Sequence, residues 1–257
     1  MKKTKIQIDA GIFPPKIQEL FKNATVYDSS CHSDATVYYL DSGCYVKTDS
    51  VHALAHEAEM CKLFYSLGLG VELVCYVSAD KDYLVTREAL GEDLTHFLDN
   101  PEELCKLLAT SLKHLHSLPA DGIPISPKNQ HYISVACGDF STGSFEDYVL
   151  MDKYPINSKE EALEIIQDGK SLFKADTVIH GDACLPNLIH NSGTFSAFID
   201  FSLSGRGDKH IDLYWALWSL KYNLKTEKYS DLFLDFYGRE SFDESMLRVI
   251  AAYEYFG

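Results

Sequence analysis

The sequence predicts an α+β chain built as two lobes, a small strand-rich N-lobe followed by a larger helical C-lobe. Three observations carry this: strand-type patterning over residues 25–87, helical patterning over most of the remainder, and a change of character near Arg87 to Gly91. At 257 residues and 29.0 kDa the chain is long enough to bury a sizeable core. Its 46% hydrophobic and 24% charged content, with only 8 Pro, excludes a disordered or fibrous chain.

Residues 36–40, a turn at 41–43 and residues 44–47 predict a hairpin. Leu54, Ala58, Cys61 and Phe64 recur at i+3 and i+4 spacings, which predicts a helix over 51–67 stopped by Gly68 and Gly70. Apolar runs at 71–77 and 83–85 predict two further strands. Beyond the boundary, residues 93–100 and 101–118 show helical periodicity, and the Pro- and Gly-containing stretch 119–130 predicts a loop. Ser158, with Glu161 at capping-box spacing, opens a helix over 158–173. A strand at 177–179 runs into His180-Gly181-Asp182, and a hairpin of 188–190 and 195–199 ends at Asp200. Helical patterns fill the rest, where Trp215 and Trp218 are expected in the core. The domains so defined are 1–88 and 89–257.

A formal charge of −15 repels phosphate backbones, which excludes nucleic acid as a partner and favours cationic ones. Seven cysteines without a CxxC pair indicate free thiols of a reducing compartment, neither a disulfide framework nor a zinc knuckle. With no apolar h-region near Met1 and no run of 18 apolar residues, the expectation is a cytoplasmic protein without a membrane span.

The chemistry concentrates after residue 177. Asp182 leaves a strand, Asn187 follows beyond Pro186, and Asp200 closes the next hairpin. Moving a γ-phosphoryl group needs a carboxylate to orient and deprotonate the acceptor hydroxyl, and oxygen ligands for magnesium. An Asp, an Asn and a second Asp supply those parts.

His180-Gly-Asp-Ala-Cys-Leu-Pro-Asn187 and the stretch from Ile199 to Leu213 resemble the signature motifs of aminoglycoside 3'-phosphotransferases, relatives of protein kinases. The resemblance continues through Trp215 to the chain end and reaches back to Lys47. It implies a protein-kinase-like fold that binds ATP or GTP between the lobes, with Asp182 as catalytic base and Asn187 and Asp200 as magnesium ligands. Lys47 resembles the lysine that clamps the α- and β-phosphates, and Glu57 its ion-pair partner, with Glu59 as the alternative. Nucleobase contacts fall on the backbone of Thr86, Arg87 and Ala89. His32 and Ser33 stand nearest to the phosphate loop, although 29–34 lacks glycine. Asp212 resembles a residue that braces the catalytic loop.

For the acceptor, the resemblance implies a polycationic aminoglycoside phosphorylated at its 3'-hydroxyl and held by carboxylates. Candidates are Glu146, Asp147, Asp152 and Glu254. Leu203 and Tyr222 depart from the family's pattern and keep open a kinase for another hydroxylated metabolite or antibiotic, or a nucleotide-binding pseudokinase.

Overall fold

The computed structural model describes residues 3–30, 35–138 and 153–256. The chain divides into two compact units, residues 1–91 with 196–202, and residues 92–195 with 203–257.

In the first unit, β1 (Thr4–Ile6), β2 (Val26–Asp28), β3 (Thr36–Leu40), β4 (Cys44–Asp49), β5 (Leu73–Ser78) and β6 (Asp82–Arg87) form one antiparallel sheet in the order β1-β2-β3-β4-β6-β5. Along β4, Cys44, Val46 and Thr48 are buried while Tyr45, Lys47 and Asp49 are partly exposed, the period-two alternation of a strand. Val46 thereby joins Phe13, Ile17, Leu40 and Val85 in an apolar core, and Lys47 is carried on the opposite face. Helix α1 (Pro15–Phe21), unforeseen in the sequence, supplies Ile17 and Phe21 to that core. Helix α2 (Ala55–Ser66) starts later than its periodicity suggests. His52 adopts a left-handed φ of 72° and the Asp82 carboxylate accepts from the Leu54 amide at 3.0 Å, so 51–54 forms a turn. The returning segment 196–202 is tied in by the Phe198 amide, which donates to the Leu69 carbonyl at 2.8 Å, and by Phe201, whose ring lies 4.4 Å from that of Phe64.

The second unit contains β7 (Glu92–Asp93), α3 (Pro101–His116), α4 (Pro127–Ala136), α5 (Lys159–Gly169), β8 (Thr177–Ile179), β9 (Leu188–Asn191), the start of β10 (Thr194–Phe198), β11 (Gly205–Gly207), α6 (Lys209–Leu224), α7 (Ser230–Tyr237) and α8 (Glu244–Glu254). Helix α3 packs on α7, and α5 and α6 pack on α8. β11 pairs antiparallel with β8, setting Gly205 opposite Ile179. Helix ends follow local chemistry. Asn100 caps α3 through the Glu103 amide, with Pro101 in first position. The Ser158 hydroxyl accepts from the Glu161 amide at 3.1 Å, while the Glu161 carboxylate turns to the Asn157 amide, so only half of the expected capping box forms.

Two expectations are corrected. Residues 127–130, expected in the loop, are the start of helix α4: Ser126 caps it through the Asn129 amide, a start signal hidden by the segment's few apolar residues. The expected helix at 93–100 shrinks to a 3₁₀ turn over Leu94–Phe97, because Asp93 pairs with Ile189 of β9 and its carboxylate captures the Thr95 amide at 3.0 Å. Among the described residues no helix is long and apolar enough to cross a membrane.

His190 on β9 is 2% exposed, with Nε2 3.1 Å from the Ser111 hydroxyl of α3. Burial pushes its pKa from 6.5 down to about 4. The unfolded chain takes up a proton below pH 6.5 that the folded chain refuses, so stability should fall as pH drops from 6.5 towards about 4. Chemical denaturation across that window should show a shallower loss for His190→Leu; equal slopes would contradict this account.

Candidate active site

In the first unit, the Lys47 ammonium donates to Glu57 Oε2 at 2.8 Å and to Asp200 Oδ1 at 3.0 Å. Burial alone would lower the Lys47 pKa; the charges of Asp200 and Glu57 outweigh it and raise the pKa above the ordinary lysine value. Glu57 sits in the first turn of α2 and is 4% exposed, so burial lifts its pKa against the pull of Lys47. Of the two glutamates considered, Glu57 meets the lysine, while Glu59 is exposed. Asp200 adopts a φ of 64°, a left-handed conformation that Asp tolerates better than most residues. Such backbone concentrates where a side chain must be aimed for a purpose.

In the second unit, the Asn187 side-chain amide donates to the Asp182 carbonyl at 3.0 Å and to Asp182 Oδ2 at 2.9 Å, fixing the carboxylate's orientation. The loop that carries Asp182 hangs on Asp212, which is fully buried on α6. Its Oδ2 accepts from the His180 amide at 2.8 Å and its Oδ1 from the Gly181 amide at 2.7 Å. His116 Nε2 lies 3.0 Å from the same carboxylate, and its other ring nitrogen is 2.8 Å from the Tyr237 hydroxyl. Gly181 has a φ of 83°, and a Cβ there would overlap the Leu203 carbonyl, so no other residue fits between His180 and Asp182. Further along the loop, Ser219 accepts from the Leu185 amide at 3.0 Å and the Ser204 hydroxyl donates to the His180 carbonyl at 2.7 Å. Asp212, Trp215 and Ser219 thus present one face of α6 to the loop, since the Trp215 carbonyl accepts from Cys184 Sγ at 4.0 Å. Sequence reasoning found Asp212 but missed Ser204 and Ser219; the i, i+3, i+7 spacing from Asp212 was the available signal for Ser219.

The remaining candidates are placed as follows. Thr86 and Arg87 are paired within the sheet, opposite Tyr45 and Cys44, and the Glu88 amide donates to the Gly43 carbonyl, so Ala89 is the first residue beyond those bonds. Glu254, at the end of α8, is 1% exposed. Its carboxylate accepts from Lys128 Nζ at 2.9 Å, Trp215 Nε1 at 2.7 Å and the Tyr132 hydroxyl, so an external ammonium would have to displace an internal donor. Asp208 caps α6, accepting from the His210 amide at 3.0 Å and the Lys174 amide at 2.8 Å. His32, Ser33, Glu146, Asp147 and Asp152 lie outside the described residues.

Magnesium suits hard oxygen donors. In the first unit the two carboxylates around the Lys47 ammonium leave a negative surplus that a divalent cation would neutralise.

The profile of the phosphotransferase enzyme family matches residues 34–250. A Lactococcus lactis subsp. lactis protein named probable aminoglycoside 3'-phosphotransferase is 36% identical over 258 residues, covering 98% of each chain. This chain belongs to the aminoglycoside 3'-phosphotransferase family. Its members are enzymes that phosphorylate a hydroxyl group. An aminoglycoside 3'-phosphotransferase from Niallia circulans is 27% identical over 65% of this chain and 64% of its own. Among solved structures, an aminoglycoside 3'-phosphotransferase of type VIII superposes with a TM-score of 0.72 over 96% of each chain at 22% identity. The Streptomyces rimosus enzyme APH(3'')-Id, in complex with ADP and streptomycin, superposes at 0.69 over 86% of this chain and 90% of its own, at 20% identity. The fold is the protein-kinase-like one shared by these family members.

Asp212→Ala strands two buried amides and the His116 ring without their acceptor. The loss should be about 3 kcal/mol, lowering the thermal midpoint by roughly 6–12 °C. Scanning calorimetry tests this, and a midpoint within about 2 °C of wild type would overturn the anchoring role.

Proposed function

We propose that this chain is a magnesium-dependent O-phosphotransferase that moves the γ-phosphoryl group of ATP, or alternatively GTP, to the 3'-hydroxyl of an aminoglycoside. The observation that carries the reading is the Asp182 carboxylate, oriented by the Asn187 amide at 2.9 Å on a loop whose two preceding amides are locked to Asp212. The whole-length similarity to a probable aminoglycoside 3'-phosphotransferase supports the acceptor class. The acidic balance of the chain suits a polycation.

In this reading Asp182 accepts the proton of the acceptor hydroxyl as its oxygen bonds to the γ-phosphorus. The bond from that phosphorus to the β–γ bridging oxygen breaks, and the nucleoside diphosphate leaves with the electron pair. Lys47, kept charged by Glu57 and Asp200, neutralises the α- and β-phosphates. Asn187, through its amide oxygen, and Asp200 are the residues that would hold magnesium, which when bound offsets charge on the phosphate oxygens. Residues 1–88 serve as the nucleotide-binding lobe and 89–257 as the catalytic and substrate-binding lobe. Thr86, Arg87 and Ala89 meet the nucleobase, and His32 and Ser33 the phosphates. Glu146, Asp147, Asp152 and Glu254 serve the acceptor, and the enzyme works in the cytoplasm.

A coupled nucleotide-turnover assay with kanamycin and neomycin tests the reading. Turnover should rise on adding either antibiotic, and Asp182→Asn should lower kcat by about a thousandfold or more while nucleotide still binds. Nucleotide binding without stimulation across a broad aminoglycoside panel would refute the acceptor assignment.

A further inference from the structure

Helix α4, the C-terminal end of α5 and the end of α8 line a pocket of about 360 Å³ in the second unit. That volume lies within the range of about 300–1,000 Å³ usual for small-molecule sites. No described residue given a part in phosphoryl transfer lines it. Asn129 and Ile133 of α4, with Cys137 at its C-cap, stand at i, i+4 and i+8 and so share one face of the helix. Phe173 and Tyr253 add aromatic wall, their ring centres 5.5 Å apart. Exposed Lys170 stands at the C-cap of α5.

The polar groups set among these apolar walls share one property: they donate. Asn129 is fully buried, and its Oδ1 accepts from the Asp208 amide at 3.1 Å, which settles how the side chain is turned. Its NH2 group is left over, and no described residue accepts from it. A buried donor without an acceptor carries its whole desolvation cost, so this one points to an acceptor supplied from outside the chain. Burial, followed by the nearby Asp208 and Cys137, pushes the Tyr253 phenol up to about 12, so at neutral pH it keeps its proton. Lys170 adds an ammonium.

Nothing among the described lining residues opposes an anion. None of them is a carboxylate, although the chain as a whole carries a formal charge of −15. The Asp208 carboxylate that acts on Tyr253 is already engaged by the Lys174 amide at 2.8 Å, the His210 amide at 3.0 Å and the His210 ring. A pocket with apolar and aromatic walls, a free buried amide donor and an ammonium is complementary to a ligand with an apolar body and one anionic acceptor.

We infer that this pocket binds a small hydrophobic carboxylate, its body against Ile133, Phe173 and Tyr253 and its oxygens accepting from the Asn129 amide and the Lys170 ammonium. The site goes beyond the proposed phosphotransfer and does not depend on it. The Asn129 side chain that would meet the ligand also holds the amide of Asp208, the residue that caps α6.

The probe is 2-naphthoate, with 2-naphthamide as its uncharged counterpart, each titrated calorimetrically into the full chain. Naphthoate should bind saturably with a Kd below about 1 mM, and the amide at least about tenfold more weakly. Location is read from Cys137, which is exposed at the pocket while the other described cysteines are buried or half-buried. Saturating naphthoate should slow its alkylation by N-ethylmaleimide, followed by peptide mass spectrometry, at least about threefold. Lys170→Glu and Ile133→Glu alter exposed positions and should weaken naphthoate at least about tenfold with the thermal midpoint unmoved. Asn129→Asp keeps an acceptor for the Asp208 amide, removes the free donor and should weaken naphthoate likewise. Nucleotide turnover enters none of these readouts, so the site and the proposed reaction fail separately. No saturable binding, equal affinity for the amide, an unchanged Cys137 alkylation rate, or wild-type affinity in both glutamate variants would each overturn the inference.

Discussion

Asp212 is sealed from solvent, and a carboxylate in that position is tolerable only when donors inside the protein replace its hydration. It finds them in the amides of His180 and Gly181 and in the ring of His116, itself held by Tyr237. One buried charge therefore ties α3, α6 and α7 to the loop that leaves β8. The loop's geometry follows from this anchor. Gly181 must turn left-handed to present both amides, Leu203 closes over it, and Asn187 then fixes the Asp182 carboxylate from the far side.

The Lys47 set solves a different problem. A lysine taken out of water tends to lose its proton, and the remedy here is two carboxylates, one on α2 and one on the segment that returns after β10. The second carboxylate is carried by a left-handed backbone at Asp200, a conformation that Asp tolerates better than most residues.

Much of this was legible before any coordinates. The spacing of Asp182, Asn187 and Asp200 suggests phosphoryl transfer, the pairing of Lys47 with Glu57 that the resemblance implies is met at 2.8 Å, and Ser158 announces a helix start. Family membership and fold agree with the resemblance read from His180 to Asn187. Other features depend on partners far apart in sequence. The Glu254 carboxylate reads as a free acidic terminus until Lys128 and Tyr132 of α4 are found against it. Helix α4 itself escaped because its few apolar residues form no stripe. The tryptophans of α6, expected in the core, are of intermediate burial, because hydrophobic type reports a tendency to be buried, not its degree.

The return of residues 196–202 to the first unit also limits how such an enzyme can diversify. The N-terminal 91 residues are not a self-sufficient module, because Phe64 takes Phe198 and Phe201 as neighbours and Lys47 takes Asp200 as counter-ion from a stretch encoded a hundred residues downstream. A single crossover between related genes near residue 91 would join a sheet to a stranger's counter-ion and aromatic plug. Viable hybrids would have to exchange the two stretches together, so the first unit is inherited as a discontinuous pair.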